Sequence, residues 1–147
     1  MHDERKDFKL GVGFKTKFYW YQIGSGDFLH AFFSTVCFNL EDGKWGSRFP
    51  IIMNELYKGK LSKENNQKAT EELEIIKNEL QNYKPDKVVW DKEDLNKKAP
   101  WGDNISSDII NLSNYFVTSD GEDFLSIFNN ALNKATELNM DLEIKSI

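Results

Sequence analysis

The chain has 147 residues, enough for a single domain with an ordinary hydrophobic core. Its only cysteine, Cys37, excludes an intrachain disulfide, and one cysteine with two histidines cannot build a usual zinc motif. The charged N-terminus and the polar residues that interrupt the richest apolar window exclude a signal peptide and a membrane-spanning helix. We therefore expect one cytoplasmic domain over residues 1–147, with residues 1–7 disordered.

The first predicted elements form a β-hairpin. Residues 8–14 alternate between apolar and small or polar side chains, and residues 18–23 are aromatic and β-branched, so both segments predict strands. The intervening Lys15, Thr16 and Lys17 predict the turn that pairs the two strands.

A buried helix is predicted after Gly24, Ser25 and Gly26. Its apolar residues recur at helical spacing, and the stripe they form is so wide that we expect a core position for Phe28, Phe32, Phe33 and Val36. The glycine-containing turn before the helix is compatible with an anion-binding loop or with a simple turn and helix cap. The second interpretation is favoured, because Leu29 stands where a third glycine would be required and Asp27 would repel an anion.

The middle of the chain predicts two further helices. Pro50 and Gly59 frame a short helix over residues 51–58, although residues 49–53 are also compatible with a strand. Residues 65–83 carry apolar side chains on one face and charged side chains on the other, which predicts a helix on the surface.

The last part of the chain predicts strands at 87–91, 115–117 and 142–147, with a long polar loop over 92–107. Ser119 and Glu122 form a capping box ahead of a predicted helix whose apolar face runs from Phe124 to Leu138. The combined pattern predicts an α+β fold with a mixed or antiparallel sheet and helices packed largely on one face.

The search for catalytic groups yields only weak candidates. His30, Ser34 and Cys37 share one face of the first helix, but no third residue can be named that would orient a base. Asp86 with Glu143 and Lys145 has the residue types of a metal-dependent nuclease pattern, without the spacing that adjacent strands require. We therefore expect no catalytic residue, no metal and no cofactor.

Charge and loop tryptophans point instead to a protein partner. Residues 1–73 carry 11 basic and 10 acidic side chains, whereas residues 74–147 carry 8 and 14. The acidic half would repel phosphates, so we expect neither nucleic acid nor a membrane as a direct partner. Trp45 and Trp101 lie in predicted loops, where each could anchor a partner or fold inward over the core.

Several strings together resemble one known family. They are YWYQIGSGDFLHAFFSTV at 19–36, FPIIMNELYKGKL at 49–61, KVVWDKED at 87–94, PWGDNIS at 100–106 and LSNYFVTSDG at 112–121. In this order they resemble the immunity protein 70 family of bacterial polymorphic toxin systems. The resemblance implies a cytoplasmic protein that neutralises a cognate toxin carrying an LXG-type secretion domain and a variable C-terminal domain, often a nuclease.

The residues and the resemblance agree on a binding protein that acts stoichiometrically. We expect its toxin-binding face to combine an aromatic anchor with carboxylates, and we predict as its members Asp91, Glu93, Asp94, Trp101 and Asp103. The oligomeric state is left open. The alternatives are a small hydrolase or nuclease with an unrecognised site, and an adaptor unrelated to toxins.

Overall fold

The computed structural model describes residues 11–102 and 104–146. Four strands in this part of the chain form one antiparallel sheet in the order β2-β1-β4-β3. They are β1 (Val12–Thr16), β2 (Tyr19–Gly24), β3 (Lys60–Leu61) and β4 (Leu142–Ser146). The α+β class and the antiparallel sheet are confirmed. The segment 1–7, expected to be disordered, lies outside the described residues.

The predicted hairpin is present, with a turn that is shorter than expected. Thr16 still belongs to β1 and pairs with Tyr19, so that the turn consists of Lys17 and Phe18. The Thr16 hydroxyl donates a hydrogen bond to the carbonyl of Asp141 at 3.0 Å, which ties β1 to the start of β4. Thr16 is 1% exposed, so this bond satisfies a hydroxyl that burial would otherwise leave unpaired.

Helix α1 (Gly26–Leu40) is the buried helix that the sequence predicts. The Ser25 side chain accepts a hydrogen bond from the backbone N–H of Phe28 at 3.0 Å, which confirms the turn-and-cap interpretation. The four residues predicted for the core, Phe28, Phe32, Phe33 and Val36, are all buried. The prediction for α1 is therefore confirmed in both its position and its buried face.

Helices α2 (Asn66–Leu80) and α3 (Phe124–Leu138) are also confirmed, but α3 has a different cap from the predicted one. Its N-cap is Asp123, whose carboxylate accepts from the backbone N–H of Ser126 at 3.1 Å. The backbone N–H of Ser119 instead donates to the carbonyl of Ile23 in β2 at 2.9 Å. The predicted capping box of Ser119 and Glu122 is wrong. Asp123 caps the helix, and the backbone N–H of Ser119, which Glu122 would bond in a capping box, already donates to β2.

The short helix near residue 51 is a π-helical segment, Ile51–Leu56, and the alternative strand at 49–53 is wrong. Its first backbone N–H groups are capped from another element: the Glu72 carboxylate in α2 accepts from Ile51 at 3.2 Å and from Ile52 at 2.8 Å. Burial of Glu72 raises the pKa of its carboxyl, and these two hydrogen bonds act in the opposite direction.

Two predicted strands are absent. Residues 115–117 contribute only an isolated bridge between Val117 and Asp123. Residues 87–91 follow a 3₁₀ turn, Pro85–Lys87, and lie along α1 without pairing to a strand. Both segments have strand-like composition, but neither pairs with a strand of the sheet.

The core lies between one face of the sheet and the helices. Phe14 of β1 contacts Phe128 of α3 with ring centroids 4.8 Å apart, and Phe32 of α1 contacts Phe124 of α3 at 4.9 Å. On the opposite face of the sheet, Lys15 and Trp20 form an exposed cross-strand pair. This arrangement leaves polar residues of α1, among them Thr35 and Asn39, to be covered by the chain between residues 84 and 102.

Candidate partner-binding surface

The segment that contains the predicted site residues is held on α1 by side chains of the helix. The Thr35 hydroxyl accepts from the backbone N–H of Val89 at 3.0 Å and donates to its carbonyl at 3.2 Å. Asn39 donates to the carbonyl of Lys87 at 2.9 Å, and the backbone N–H of Lys92 donates to Ser34 Oγ at 3.1 Å. These bonds take the place of a neighbouring strand and fix the position of residues 87–92.

Beyond Val89 the chain enters a cluster of polar and aromatic side chains, which we call the His30 cluster: His30, Trp45, Tyr57, Asp91 and Lys92. The imidazole of His30 is hydrogen-bonded through Nε2 to Asp91 Oδ1 at 3.3 Å and through Nδ1 to the Tyr57 hydroxyl at 2.9 Å. Tyr57 packs edge-on against Trp45 at 4.8 Å, and the Lys92 ammonium lies 5.7 Å from the Trp45 ring centroid. These contacts hold the five side chains in fixed positions on this surface.

The pKa values of Tyr57 and Cys37, in and near this cluster, are raised. Burial raises the pKa of the Tyr57 hydroxyl, and the nearby carboxylates of Asp91 and Glu93 raise it further. Cys37 is fully buried, and burial raises the pKa of its thiol. Ser34 is equally buried, and its hydroxyl oxygen accepts the bond from Lys92. The arrangement of these groups suits fixed hydrogen bonding.

Trp45 is one of the two loop tryptophans, and it folds inward. Its indole N–H donates to the carbonyl of Met53 at 2.7 Å, and its ring stacks near Phe33 with centroids 6.3 Å apart. Trp45 therefore covers the end of the core beside the π-helical segment.

Trp101 combines both roles that the sequence left open. Its indole N–H donates to the Tyr115 hydroxyl at 2.9 Å, and its ring meets that of Trp90 edge-on at 5.4 Å. The side chain nevertheless remains 39% exposed. Trp101 is thus an aromatic side chain that the protein already holds in place and that remains partly open to solvent. Binding through Trp101 therefore requires little further ordering of this side chain.

The predicted carboxylates differ in how freely they face solvent. Asp91 accepts hydrogen bonds from His30 and from the backbone N–H of Glu93 at 2.9 Å, and it lies 4.0 Å from the ammonium of Lys97. The bond from the Glu93 backbone, together with His30, lowers the pKa of the Asp91 carboxyl. Glu93 and Asp94 are exposed. Asp91 therefore organises the loop, whereas Glu93 and Asp94 are presented outward.

The structure thus brings the predicted residues together in part. Trp101 packs against Trp90, which directly precedes Asp91, so the aromatic surface and the acidic turn are neighbours. Asp103 lies outside the described residues.

An open groove borders this surface and was not predicted. It has a volume of about 830 Å³ and runs between the C-terminal part of α1 and the chain on either side of Trp90. Among the residues that line it, Val88, Trp90 and Tyr115 form part of the floor. Its basic residues are Lys84, Lys87, Lys97 and Lys98. We call this feature the lysine groove.

Sequence reasoning missed the groove and the partners of Asp91 for the same reason. His30 and Asp91 are 61 positions apart, and only the path of the chain over α1 makes them neighbours. The one available signal was the presence of His30, Ser34 and Asn39 in a helix that is otherwise apolar. Polar residues in such a helix indicate that another segment hydrogen-bonds to them, without identifying that segment.

Comparison with known proteins gives one family. The model of the family described as Immunity protein 70 matches residues 14–144, nearly the whole chain. No curated protein and no solved structure gave a significant match.

Among the described residues, no group of three or more histidine, cysteine or acidic side chains is placed to hold a metal ion. None of the helices in this part of the chain has the length and apolar character needed to span a membrane.

Proposed function

The chain belongs to the Immunity protein 70 family, and from this premise we propose that it binds the cognate C-terminal toxin domain of a bacterial polymorphic toxin and neutralises it by stoichiometric occlusion. The observation that carries the proposal is the family match over residues 14–144. Membership of this family supports an immunity role in toxin systems. The toxin in our proposal is of the LXG type, acts as a nuclease, and meets this protein in the cytoplasm.

The proposed toxin-binding face consists of Asp91, Glu93, Asp94 and Trp101, together with Asp103. A nuclease needs a cationic groove to hold phosphates, so an inhibitor that fills this groove gains by presenting carboxylates. Glu93 and Asp94 are exposed and can serve this purpose, while Asp91 fixes the turn that carries them. Trp101 supplies the preorganised aromatic anchor, a residue type that is enriched at binding hot spots.

The alternative is an enzyme that destroys or modifies its target. The observation in its favour is the chain of hydrogen bonds from Asp91 through His30 to Tyr57, because an acid that orients an imidazole recurs in hydrolases. The raised pKa of Tyr57 argues against its use as a nucleophile. A test of stoichiometry separates the two functions.

Neutralisation is tested by titration against the C-terminal toxin domain encoded by the neighbouring gene. We expect growth rescue only when this protein is made in amounts comparable to the toxin, and calorimetry to give a ratio of about one to one. Replacing His30 by Gln should leave this one-to-one requirement unchanged, because occlusion does not need the imidazole as a base. Rescue by trace amounts that is lost in His30→Gln would contradict occlusion and support the enzyme.

The proposed face is tested by reversing its exposed charges. The variant Glu93→Lys/Asp94→Lys should associate about tenfold more slowly with the toxin domain and with a weaker salt dependence, because rim charges act mainly on the association rate. The matched control is Glu71→Lys/Glu74→Lys, which changes the net charge equally on the exposed side of α2. Equal association rates for the two variants would place the interface elsewhere.

The aromatic part of the face has its own control. Trp101→Ala should weaken toxin binding by about tenfold or more, as expected for an aromatic anchor that becomes buried in the interface. Phe18→Ala removes another exposed aromatic side chain, 86% exposed at the tip of the β1–β2 hairpin, and should have little effect. If only Phe18→Ala weakens binding, the hairpin rather than Trp101 contacts the toxin.

A further inference from the structure

The lysine groove concentrates positive charge in a protein whose net charge is −5. Asp86 is the only acidic side chain among the described residues that line it, against four lysines. One of these lysines, Lys97, lies 4.0 Å from the carboxylate of Asp91, a residue that does not line the groove. Within residues 11–102 and 104–146, the side chains of Lys84, Lys87 and Lys98 form no ion pair. The rim therefore has unneutralised positive charge available for a partner.

The apolar part of the groove is similarly open. Trp90 is buried in the floor, but Phe38 on α1 is 47% exposed and Leu95 is 58% exposed. A polypeptide laid along the groove can cover both side chains, and the hydrophobic effect favours their burial.

We propose that the lysine groove receives an acidic segment of the toxin domain in which carboxylates flank an apolar side chain. This inference rests on the proposed function and names the part of the partner that the groove recognises. The apolar side chain enters between Phe38 and Trp90. The flanking carboxylates approach the ammonium groups of Lys84, Lys87 and Lys98, which line the groove.

The groove and the proposed acidic face form one continuous surface with charges of both signs. Trp90 lines the groove and also supports Trp101, and the contact between Lys97 and Asp91 marks the boundary between the basic and acidic sides. A partner must then present carboxylates to one side and cationic groups to the other. Such a pattern fixes the orientation of the toxin and rejects toxins that carry the opposite arrangement.

The test uses the full-length protein and a catalytically inactive form of the toxin domain encoded by the neighbouring gene. The groove variant Lys87→Glu/Lys98→Glu should bind this domain about tenfold more weakly than wild type. The substitutions remove the attraction between the lysines and the carboxylates of the toxin segment and add a repulsion between like charges. The control variant Lys68→Glu/Lys77→Glu makes the same charge change at exposed positions of α2 and should bind within about twofold of wild type. Phe38→Ala should also weaken binding, because it removes an apolar wall of the groove.

The outcomes separate this inference from the function on which it rests. If wild type binds the toxin domain and the groove variant binds it equally well, the inference is overturned and the proposed function stands. Absence of binding by wild type overturns both. A nucleotide or a short oligonucleotide is titrated in parallel: binding that the groove variant loses, with toxin affinity unchanged, would assign the groove to a phosphate ligand and overturn the acidic-segment proposal.

Discussion

Helix α1 is covered in two different ways, one by its phenylalanines and one by its polar residues. The phenylalanines pack against other rings: Phe32 meets Phe124 at 4.9 Å and Phe116 at 5.4 Å in edge-on contacts. The polar residues His30, Thr35 and Asn39 hydrogen-bond to a segment that lacks regular strand pairing. The phenylalanines gain stability from burial without directional partners, whereas the polar residues specify where the following chain must lie.

Within this one helix, the phenylalanines therefore stabilise the fold, whereas the polar residues position the surface proposed for recognition. Loss of a buried ring should destabilise the whole fold, whereas loss of a hydrogen bond from a polar residue of α1 should loosen the surface that carries Trp101 and the lysine groove. Three substitutions test this separation, beginning with the one that should have the largest effect.

Phe32→Ala should lower the free energy of unfolding by about 3–5 kcal/mol, because Phe32 is fully buried and its removal leaves a cavity among four aromatic rings. Urea denaturation followed by circular dichroism measures the change. Phe38→Ala is the matched control on the same helix, since Phe38 is 47% exposed and should contribute less than about 1 kcal/mol. Similar losses in the two variants would mean that α1 has no distinct buried side.

Thr35→Val keeps the shape of a fully buried side chain but leaves both backbone groups of Val89 without the Thr35 hydroxyl. We expect a loss of about 2 kcal/mol, from unsatisfied buried donor and acceptor groups. Amide hydrogen exchange should become faster at residues 87–92 than in the sheet. Thr70→Val in α2, where the hydroxyl donates only to the carbonyl of Asn66 within the same helix, should cost much less. Unchanged exchange at residues 87–92 would contradict the proposed role of Thr35.

Asp91→Asn should have the smallest effect on the free energy of unfolding, and this effect should depend on pH. The pKa of Asp91 lies below its ordinary value of 3.8, chiefly because the backbone N–H of Glu93 donates to the carboxylate. A lowered folded-state pKa means that the ionised group adds stability above about pH 3.8 and that this contribution is lost as the pH falls through the folded-state pKa. The difference in stability between wild type and Asp91→Asn should therefore shrink on acidification. A constant difference across the acidic range would contradict this assignment.

The sequence by itself determined the elements whose signals are local. Apolar residues at helical spacing located α1, α2 and α3, and alternation with a short turn located the β1–β2 hairpin. The same periodicity identified Phe32 and its neighbours as core. These predictions succeeded because a regular helix or hairpin satisfies its own backbone, so that the residues within it contain most of the necessary information.

Only the tertiary structure decided the surface between residues 84 and 102. Residues 87–91 have the composition of a strand, yet their backbone groups are satisfied by Thr35 and Asn39, which lie about 50 positions earlier in the chain. Once this segment is fixed on α1, Asp91 meets His30, Trp90 supports Trp101, and the four lysines line one groove. The physical reason is that strand propensity measures how well side chains fit a half-buried surface, whereas the hydrogen-bond partner of an extended segment is set by whichever element the fold brings alongside it.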